Sequence, residues 1–199
     1  MQRLAFIASI LAVPVLFVTW QMFSDDVKVV EGETGANEKA FSLVSINYQA
    51  NKEPQPIDST PFYEASLNES TESAPKDLTE LKGKPVILHF WAPWCGACLS
   101  ELPSFDTFTE MYGSDFHILA VTKDDKSGET IRRFYKENNI KNLSLTVDEN
   151  DAMARKFNIS ALPSTVFLNS KGEEIGRITG PVEWKGTAGR MLTKHLSGK

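Results

Sequence analysis

Cysteine and histidine are scarce in this chain of 199 residues, which has two cysteines, Cys95 and Cys98, and three histidines. Two thiols cannot complete a structural zinc site, which normally takes four ligands. They can form one disulfide with each other and open it again. Positive charge is also in short supply, with 21 Lys and Arg against 26 Asp and Glu. The net charge of -5 therefore gives no sign of a nucleic-acid-binding protein.

Long apolar runs are few, and the longest covers residues 4–23. It has about the length of a bilayer span. Arg3 precedes it while Asp25 and Asp26 follow, so the positive-inside bias places the N-terminus in the cytoplasm. We expect residues 1–23 to be a single-pass signal anchor in the cytoplasmic membrane, with the C-terminal domain on the periplasmic or extracytoplasmic side. A cleaved secretory signal is the alternative, and it also exports the domain.

The segment after the predicted anchor is acidic and polar, which predicts a linker over residues 24–38. We expect residues 39–199 to form one domain, since 41% apolar and 10% aromatic content suits a globular α/β fold. Strand-like alternation appears at residues 41–46 and again at 62–67. Three prolines predict a loop after the first of these strands: Pro54, Pro56 and Pro61.

The two cysteines follow a nearly continuous apolar run at residues 86–91, which is typical of a strand buried on both faces. Turn residues come next, and Cys95 falls where a helix should begin. A thiolate there is stabilised by the helix dipole and by unpaired amide groups. Cys98 lies about one turn later, placed to attack a mixed disulfide formed by Cys95. This setting predicts a redox dithiol, and the alternative is a purely structural disulfide.

A resemblance to a known family rests on Phe90-Trp91-Ala92-Pro93-Trp94-Cys95-Gly96-Ala97-Cys98, which resembles the active-site motif of the thioredoxin superfamily. The continuation to Glu101-Leu102-Pro103 resembles its membrane-anchored TlpA, ResA and CcmG/DsbE-type branch. The resemblance covers residues 78–195. It implies a thioredoxin-like fold, with a central mixed β-sheet flanked by helices and an N-terminal hairpin or insert over about residues 41–76. It also implies that Cys95 attacks the substrate and that Cys98 resolves the intermediate.

The same resemblance assigns roles to three residues around the dithiol. Glu101 matches a buried glutamate that helps to move protons in the ResA-like branch, although it could also be an ordinary exposed glutamate. His89 stands where thioredoxins carry a buried aspartate and many TlpA-type proteins an asparagine. It is either a proton relay or a neutral, hydrogen-bonded core histidine. Trp94 is expected to contact substrate beside Cys95, or to be merely an exposed aromatic residue.

A second motif, Ala161-Leu162-Pro163-Ser164, resembles the proline loop of the superfamily. By resemblance, Pro163 follows a cis peptide bond that faces the dithiol. The backbone of Leu162 would then be offered to the substrate for strand-like pairing. The alternative is a trans proline that opens a strand.

Together these features predict an exported thiol–disulfide oxidoreductase with no cofactor beyond its Cys95–Cys98 pair. The resemblance implies that it reduces disulfides in extracytoplasmic proteins, for example apocytochrome c. A reductant in an oxidising compartment needs an electron source, and the resemblance implies an integral-membrane thiol donor of the DsbD/CcdA type. A disulfide oxidase or isomerase with the same fold is one alternative. Another is a Cu(I)-binding protein, since thiolates select Cu(I).

Overall fold

The computed structural model describes residues 48–65, 76–122 and 129–197, all of which belong to the unit Ser45–Lys199. The predicted anchor, the predicted linker and the strand predicted at residues 41–46 lie outside these ranges. Among the described residues, no helix combines the length and the apolar character needed to cross a membrane.

Strands and helices alternate along most of the described chain. The strands are β1 (Tyr48–Pro56), β2 (Pro61–Ala65), β3 (Lys76–Asp77), β4 (Val86–Trp91), β5 (His117–Thr122), β6 (Leu145–Val147), β7 (Ser164–Leu168) and β8 (Glu173–Thr179). The helices are α1 (Gly96–Tyr112), α2 (Glu129–Glu137), α3 (Ala152–Lys156) and α4 (Thr187–Leu196). Two 3-10 turns, Leu78–Leu81 and Glu149–Asp151, precede β4 and α3.

These strands form a mixed sheet in the order β1-β8-β7-β4-β5-β6-β2-β3. β4, β5 and β6 run parallel to one another, whereas β7 is antiparallel to β4 and β8 is antiparallel to β7. Because a parallel connection needs a crossover, α1 carries the chain from β4 over to β5. The prediction of a central mixed sheet flanked by helices is confirmed.

β4 lies in the middle of the sheet, and all six of its residues are buried. Val86, Leu88 and Phe90 belong to an apolar cluster that includes residues of α3. On the opposite face, the His89 ring lies 4.5 Å from Phe105 of α1, measured between ring centroids. Trp91 stacks on Tyr135 of α2. Helices therefore cover both faces, which explains why the sequence of this strand is continuously apolar.

The prediction of a loop at the prolines is wrong for Pro54 and Pro56, because both lie within β1. β1 pairs only with β8 in the described sheet, and its register is irregular between Ala50 and Gln55. An edge strand tolerates proline because the missing N–H can face away from the ladder. Pro61, in turn, opens β2 rather than a loop.

Within the described part of residues 41–76, β1 and β2 do not pair with each other. β1 and β2 lie near opposite ends of the sheet, where β1 pairs with β8 and β2 pairs with β6 and β3. The chain needs five Cα steps from Pro56 to Pro61, which reach about 19 Å at most. Six strand spacings in a flat sheet would span about 29 Å. The sheet therefore curls, which brings its two ends closer together than they would be in a flat sheet.

Candidate active site

The two cysteines sit at the start of α1, directly beyond the C-terminal end of β4. Cys95 is the N-cap residue of the helix, and its Sγ accepts a hydrogen bond from the backbone N–H of Cys98 at 3.2 Å. The two residues are joined in a disulfide, as the sequence predicted. Cys98 is fully buried, whereas Cys95 retains 9% of its surface. The arrangement therefore leaves Cys95 as the more accessible sulfur, at the positive end of the helix dipole.

Pro163 lies at the same end of the sheet as the dithiol. The Leu162–Pro163 peptide bond is cis, which confirms that prediction. In the antiparallel β4–β7 register Phe90 pairs with Ser164, so the residue before Ser164 lies level with the end of β4 that leads to Cys95. The carbonyl of Pro163 accepts a hydrogen bond from Gly180 N–H at 2.9 Å. Gly180 has a φ of +108°, a backbone conformation that favours glycine.

Glu101 is buried, with only 5% of its surface exposed, so it is not an ordinary surface glutamate. It lies three residues after Cys98 on α1, and residues at this spacing are neighbours on one helix face. Its Oε2 accepts a hydrogen bond from the backbone N–H of Val182 at 2.6 Å. The carboxyl group is thus held between the dithiol helix and the segment that follows β8.

His89 contacts Glu101 directly, because its Nε2 lies 3.1 Å from Glu101 Oε1. The two atoms form an ion-pair contact rather than a hydrogen bond, and neither has a hydrogen-bond partner among the described residues. The other ring nitrogen, Nδ1, lies 3.0 Å from Thr165 Oγ1. His89 is fully buried and packs on Phe105 and Trp184. It is therefore a hydrogen-bonded core histidine whose other face meets the Glu101 carboxyl.

The two predicted substrate contacts differ in exposure. Trp94 is 70% exposed and immediately precedes Cys95, so it forms part of the surface around that sulfur. Leu162 is half-buried and its side chain packs against the apolar cluster under β4. This packing fixes the proline loop to the core of the domain. The backbone role predicted for Leu162 toward a substrate stays a prediction.

The structure adds two groups that the sequence did not indicate, namely Thr165 beside His89 and the N–H of Val182 on Glu101. Both lie in the C-terminal half of the domain, 76 and 81 residues from their partners. A register between strands, or the path of a loop after a strand, cannot be read from local sequence. The remaining histidines, His117 and His195, lie elsewhere, and partial burial lowers the pKa of each.

Among the residues that the structure describes, no group of three or more His, Cys, Asp or Glu side chains is arranged to hold a metal ion. The site offers the chemistry of its two sulfurs, with a buried carboxyl group on the same helix and an imidazole beside that carboxyl group.

Comparison with known proteins places this geometry among thiol–disulfide proteins. The chain is 30% identical over 95 residues to sporulation thiol-disulfide oxidoreductase A of Bacillus subtilis, covering 46% of this chain and 57% of the relative. It is 28% identical over 135 residues to thiol-disulfide oxidoreductase ResA of Oceanobacillus iheyensis, covering 67% of this chain and 69% of that one. The chain thus spans little more than half the length of the Bacillus relative.

A solved structure gives the same picture of the fold. The pneumococcal exposed lipoprotein thioredoxin of Streptococcus pneumoniae superimposes with a TM-score of 0.55 at 27% identity, covering 67% of this chain and 98% of that one. The Redoxin family model matches residues 56–192, which include the dithiol, Glu101 and the cis proline. With this match over more than half of its length, the chain belongs to the Redoxin family and has a thioredoxin-like fold.

Proposed function

We propose that this protein is a thiol–disulfide oxidoreductase that reduces disulfides in exported proteins. The observation that carries the proposal is the placement of Cys95 at the N-cap of α1, where it accepts a hydrogen bond from Cys98 N–H and is joined to Cys98 Sγ. An N-terminal helix position stabilises a thiolate, and a second thiol one turn later can displace a bound substrate.

In the proposed cycle the reduced protein starts with both thiols free. The Cys95 thiolate attacks one sulfur of a substrate disulfide, and a mixed disulfide forms as the first substrate thiolate leaves. Cys98 then loses its proton and attacks Cys95 Sγ, which breaks the mixed disulfide and releases the second substrate thiolate. Two electrons pass to the substrate, and the Cys95–Cys98 disulfide is formed. The disulfide in the structure is therefore the product state of one turnover.

Glu101 is the proposed acceptor of the Cys98 proton in the second step. Cys98 is fully buried, so its thiol needs a base within the protein before it can become a nucleophile. Glu101 lies one turn further along the same helix and is the buried carboxyl nearest in sequence. Pro163 and Trp94 are proposed to contact the substrate around Cys95, and the backbone of Leu162 is proposed to pair with it.

The setting of the reaction is also part of the proposal. The apolar run at residues 4–23 supports an anchor that exports the domain, and the similar pneumococcal protein is an exposed lipoprotein. A reductant outside the cytoplasm must be reduced again after each turnover, which we assign to an integral-membrane thiol donor of the DsbD/CcdA type. Apocytochrome c is the proposed example of a substrate.

The redox potential of the Cys95–Cys98 couple tests the direction of electron flow. The full chain, purified in detergent, is equilibrated in dithiothreitol or glutathione buffers, and the fraction of disulfide is counted after alkylation. We expect a potential near that of thioredoxin, about -270 mV. A value near the DsbA end, about -120 mV, would identify an oxidant and exclude the reductant proposal.

Two variants test the roles of the sulfurs. Cys98→Ser should still attack a disulfide, so a mixed disulfide with substrate accumulates and can be isolated. Cys95→Ser should form no mixed disulfide, because its remaining sulfur is buried. If Cys95→Ser traps substrate as efficiently as Cys98→Ser, the assignment of attacking and resolving cysteine is reversed.

A further inference from the structure

We infer that His89 is a positioning residue that pairs as an imidazolium with the Glu101 carboxylate and so keeps this carboxyl group able to accept the proton of Cys98. The inference rests on the proposed function and extends it to a residue on a different strand. The pairing would determine how far the pH can fall before the attack of Cys98 on the mixed disulfide slows.

The contact is made where neither group can reach solvent. His89 is 0% exposed and Glu101 is 5% exposed, and Nε2 lies 3.1 Å from Oε1. Thr165 Oγ1 lies 3.0 Å from Nδ1, which fixes the plane of the imidazole ring. Val182 N–H donates to Oε2, which leaves Oε1 as the oxygen that faces His89. Both side chains are therefore held from two sides, and their facing atoms are an imidazole nitrogen and a carboxylate oxygen.

Burial limits how many protons this pair can hold. A lone buried charge costs several kcal/mol, whereas a pair of opposite charges or a pair of neutral groups avoids most of that cost. Both arrangements have no net charge and carry one titratable proton. This proton lies either on the imidazole, as a cation beside a carboxylate, or on the carboxyl group, beside a neutral ring. We assign the first arrangement to the resting site, because Val182 N–H donates a short hydrogen bond that favours the charged carboxylate.

The groups that contact the pair come from three parts of the fold. Against the His89 ring lie Phe105 of α1, Thr165 of β7 and Trp184 after β8. Against the Glu101 carboxyl lie His89 itself and the N–H of Val182. Besides the two partners, the titratable group that this proposal brings to the pair is the Cys98 thiol, one turn earlier on α1.

The proton balance of the second step follows from this pairing. Cys98–SH gives its proton to Glu101 Oε1 and becomes a thiolate, while the imidazolium of His89 keeps its own proton. The thiolate attacks Cys95 Sγ, the mixed disulfide breaks, and the pair of electrons in that bond leaves with the substrate sulfur. The positive charge on the pair is balanced by the negative sulfur during the attack. The extra proton then leaves the pair, and protonates the departing thiolate.

Without the imidazole, Glu101 would be an isolated buried carboxyl, and such a group holds its proton to higher pH. His89→Asn should therefore slow the Cys98 step at low pH and leave it unchanged at high pH. We expect the acid limb of the pH profile to move to higher pH, so that the rate is lower than that of the wild type at acid pH and equal to it well above the limb. A residue with a merely structural role would lower the rate by the same factor at every pH.

The experiment isolates the second step from the first. The reduced full chain, in detergent, is mixed with oxidised glutathione as the probe disulfide, and the reaction is quenched with acid at intervals. Mass spectrometry counts the mixed disulfide between Cys95 and glutathione, whose decay reports the attack by Cys98. The profile is measured for the wild type, His89→Asn, Glu101→Gln and the double variant. His117→Asn carries the same substitution at a histidine outside the site, and it is the matched control.

We expect His117→Asn to match the wild type, and Glu101→Gln to lose the acid limb that the wild type shows. The double variant should behave as Glu101→Gln alone, since His89 acts only through Glu101. Shifts that add in the double variant, or a His89→Asn profile that is lowered uniformly, would overturn the inference. Failure of the proposed function looks different, because glutathione would then form no mixed disulfide with the wild type.

A second measurement needs no turnover. The protein has three histidines, so ring 15N signals are assigned by their loss in His89→Asn and His117→Asn. The His89 ring should carry protons on both nitrogens near neutral pH in the wild type, and should lose one of them in Glu101→Gln. A His89 ring that is singly protonated in both proteins would contradict the ion pair, even if the reductase activity is present.

Discussion

Among single residues, Asp106 shows how one side chain can hold a distant segment. It is buried on α1, and its Oδ1 accepts hydrogen bonds from the backbone N–H groups of Lys141, Asn142 and Leu143 at 2.7 to 3.1 Å. Its Oδ2 accepts another from the Asn142 side chain. This carboxylate therefore anchors the connection between α2 and β6 to the helix that carries the dithiol. Its charge is compensated by four donors rather than by a cation.

We expect Asp106→Ala to lower the free energy of unfolding by about 2–4 kcal/mol, because it leaves several backbone donors in a largely buried segment without partners. Asp106→Asn keeps one oxygen acceptor and should lose less. The exposed Glu110, one turn further along α1, provides the control Glu110→Ala. Urea denaturation of the three variants measures the difference. An Asp106→Ala protein as stable as Glu110→Ala would show that the hydrogen bonds contribute nothing net.

The residues that could be predicted from sequence are those with local motifs. Cys95, Cys98 and the cis bond before Pro163 all follow from short patterns, and the structure has the disulfide and the cis bond where these patterns place them. Asp106, Thr165 and Val182 could not be found in this way. Each acts on a partner at least 35 residues away in sequence, through a contact that exists only after the strands and helices have packed.

At the scale of single elements, the starts of the helices show the same contrast between local sequence motifs and contacts that form only on folding. The turn Leu78–Leu81 begins with a capping box, in which Asp77 accepts from Thr79 N–H and Glu80 accepts from Asp77 N–H, and its local pattern of Asp followed three residues later by Glu is typical of such a cap. The helix α3 begins differently. Asp151 is in a left-handed conformation, and its side chain makes no capping bond. Asp148 instead accepts from Met153 and Ala154, because two successive left-handed residues fold the chain back over it.

The Asp77 cap should make stability depend on acidity. Partial burial raises the pKa of the Asp77 carboxyl, but hydrogen bonds from Ser59, Thr79 and Thr60 outweigh this effect and bring the pKa below its usual value. A carboxyl with a lowered pKa in the folded state contributes stability above its unfolded pKa, about 3.9. That contribution to stability is lost as the pH falls through the lower pKa that Asp77 has in the folded protein.

We therefore expect Asp77→Asn to be less stable than the wild type at pH 7, and this difference to shrink as the pH falls below about 4. Asparagine retains an oxygen acceptor, so this comparison reports the charge. Asp77→Ala also loses the acceptor and should remain destabilised, by about 1 kcal/mol, even in acid. Thermal unfolding at a series of pH values measures both. A constant difference between wild type and Asp77→Asn would mean that the carboxylate charge is not stabilising.

For the chain as a whole, the main surprise is the pairing of its first described strand with its last. β1 was not predicted, because proline and polar residues hide a strand that has only one neighbour in the described sheet. Tyr48 lies over Gly176 of β8, packs on Phe167 of β7, and its hydroxyl lies 3.2 Å from Nε2 of His195 in α4. Burial raises the pKa of this tyrosine, so it stays neutral. The central sheet could be predicted from apolar runs, whereas this edge could not.

Gly176→Ala tests how much the edge pairing matters. An added Cβ would lie 2.5 Å from the Tyr48 hydroxyl oxygen and 2.8 Å from the carbonyl oxygen of Gln49, so β1 must move away. We expect the free energy of unfolding to fall by about 1–3 kcal/mol. Amide hydrogen exchange should accelerate in β1 and β8 and remain slow in β4. Gly96→Ala places a Cβ in open space and is the control. Unchanged exchange in β1 would show that the strand adapts without loss.

The β1–β8 pairing also constrains the order in which the protein can be completed. The two strands are joined by contacts such as Tyr48 with Ile178, which are separated by most of the domain. A contact of this kind forms only after the intervening chain has been made, and long-range pairing slows folding. Until β8 has been synthesised and has left the ribosome, β1 lacks the strand with which it pairs in the folded domain. The nascent domain therefore cannot complete its sheet until synthesis has passed β8.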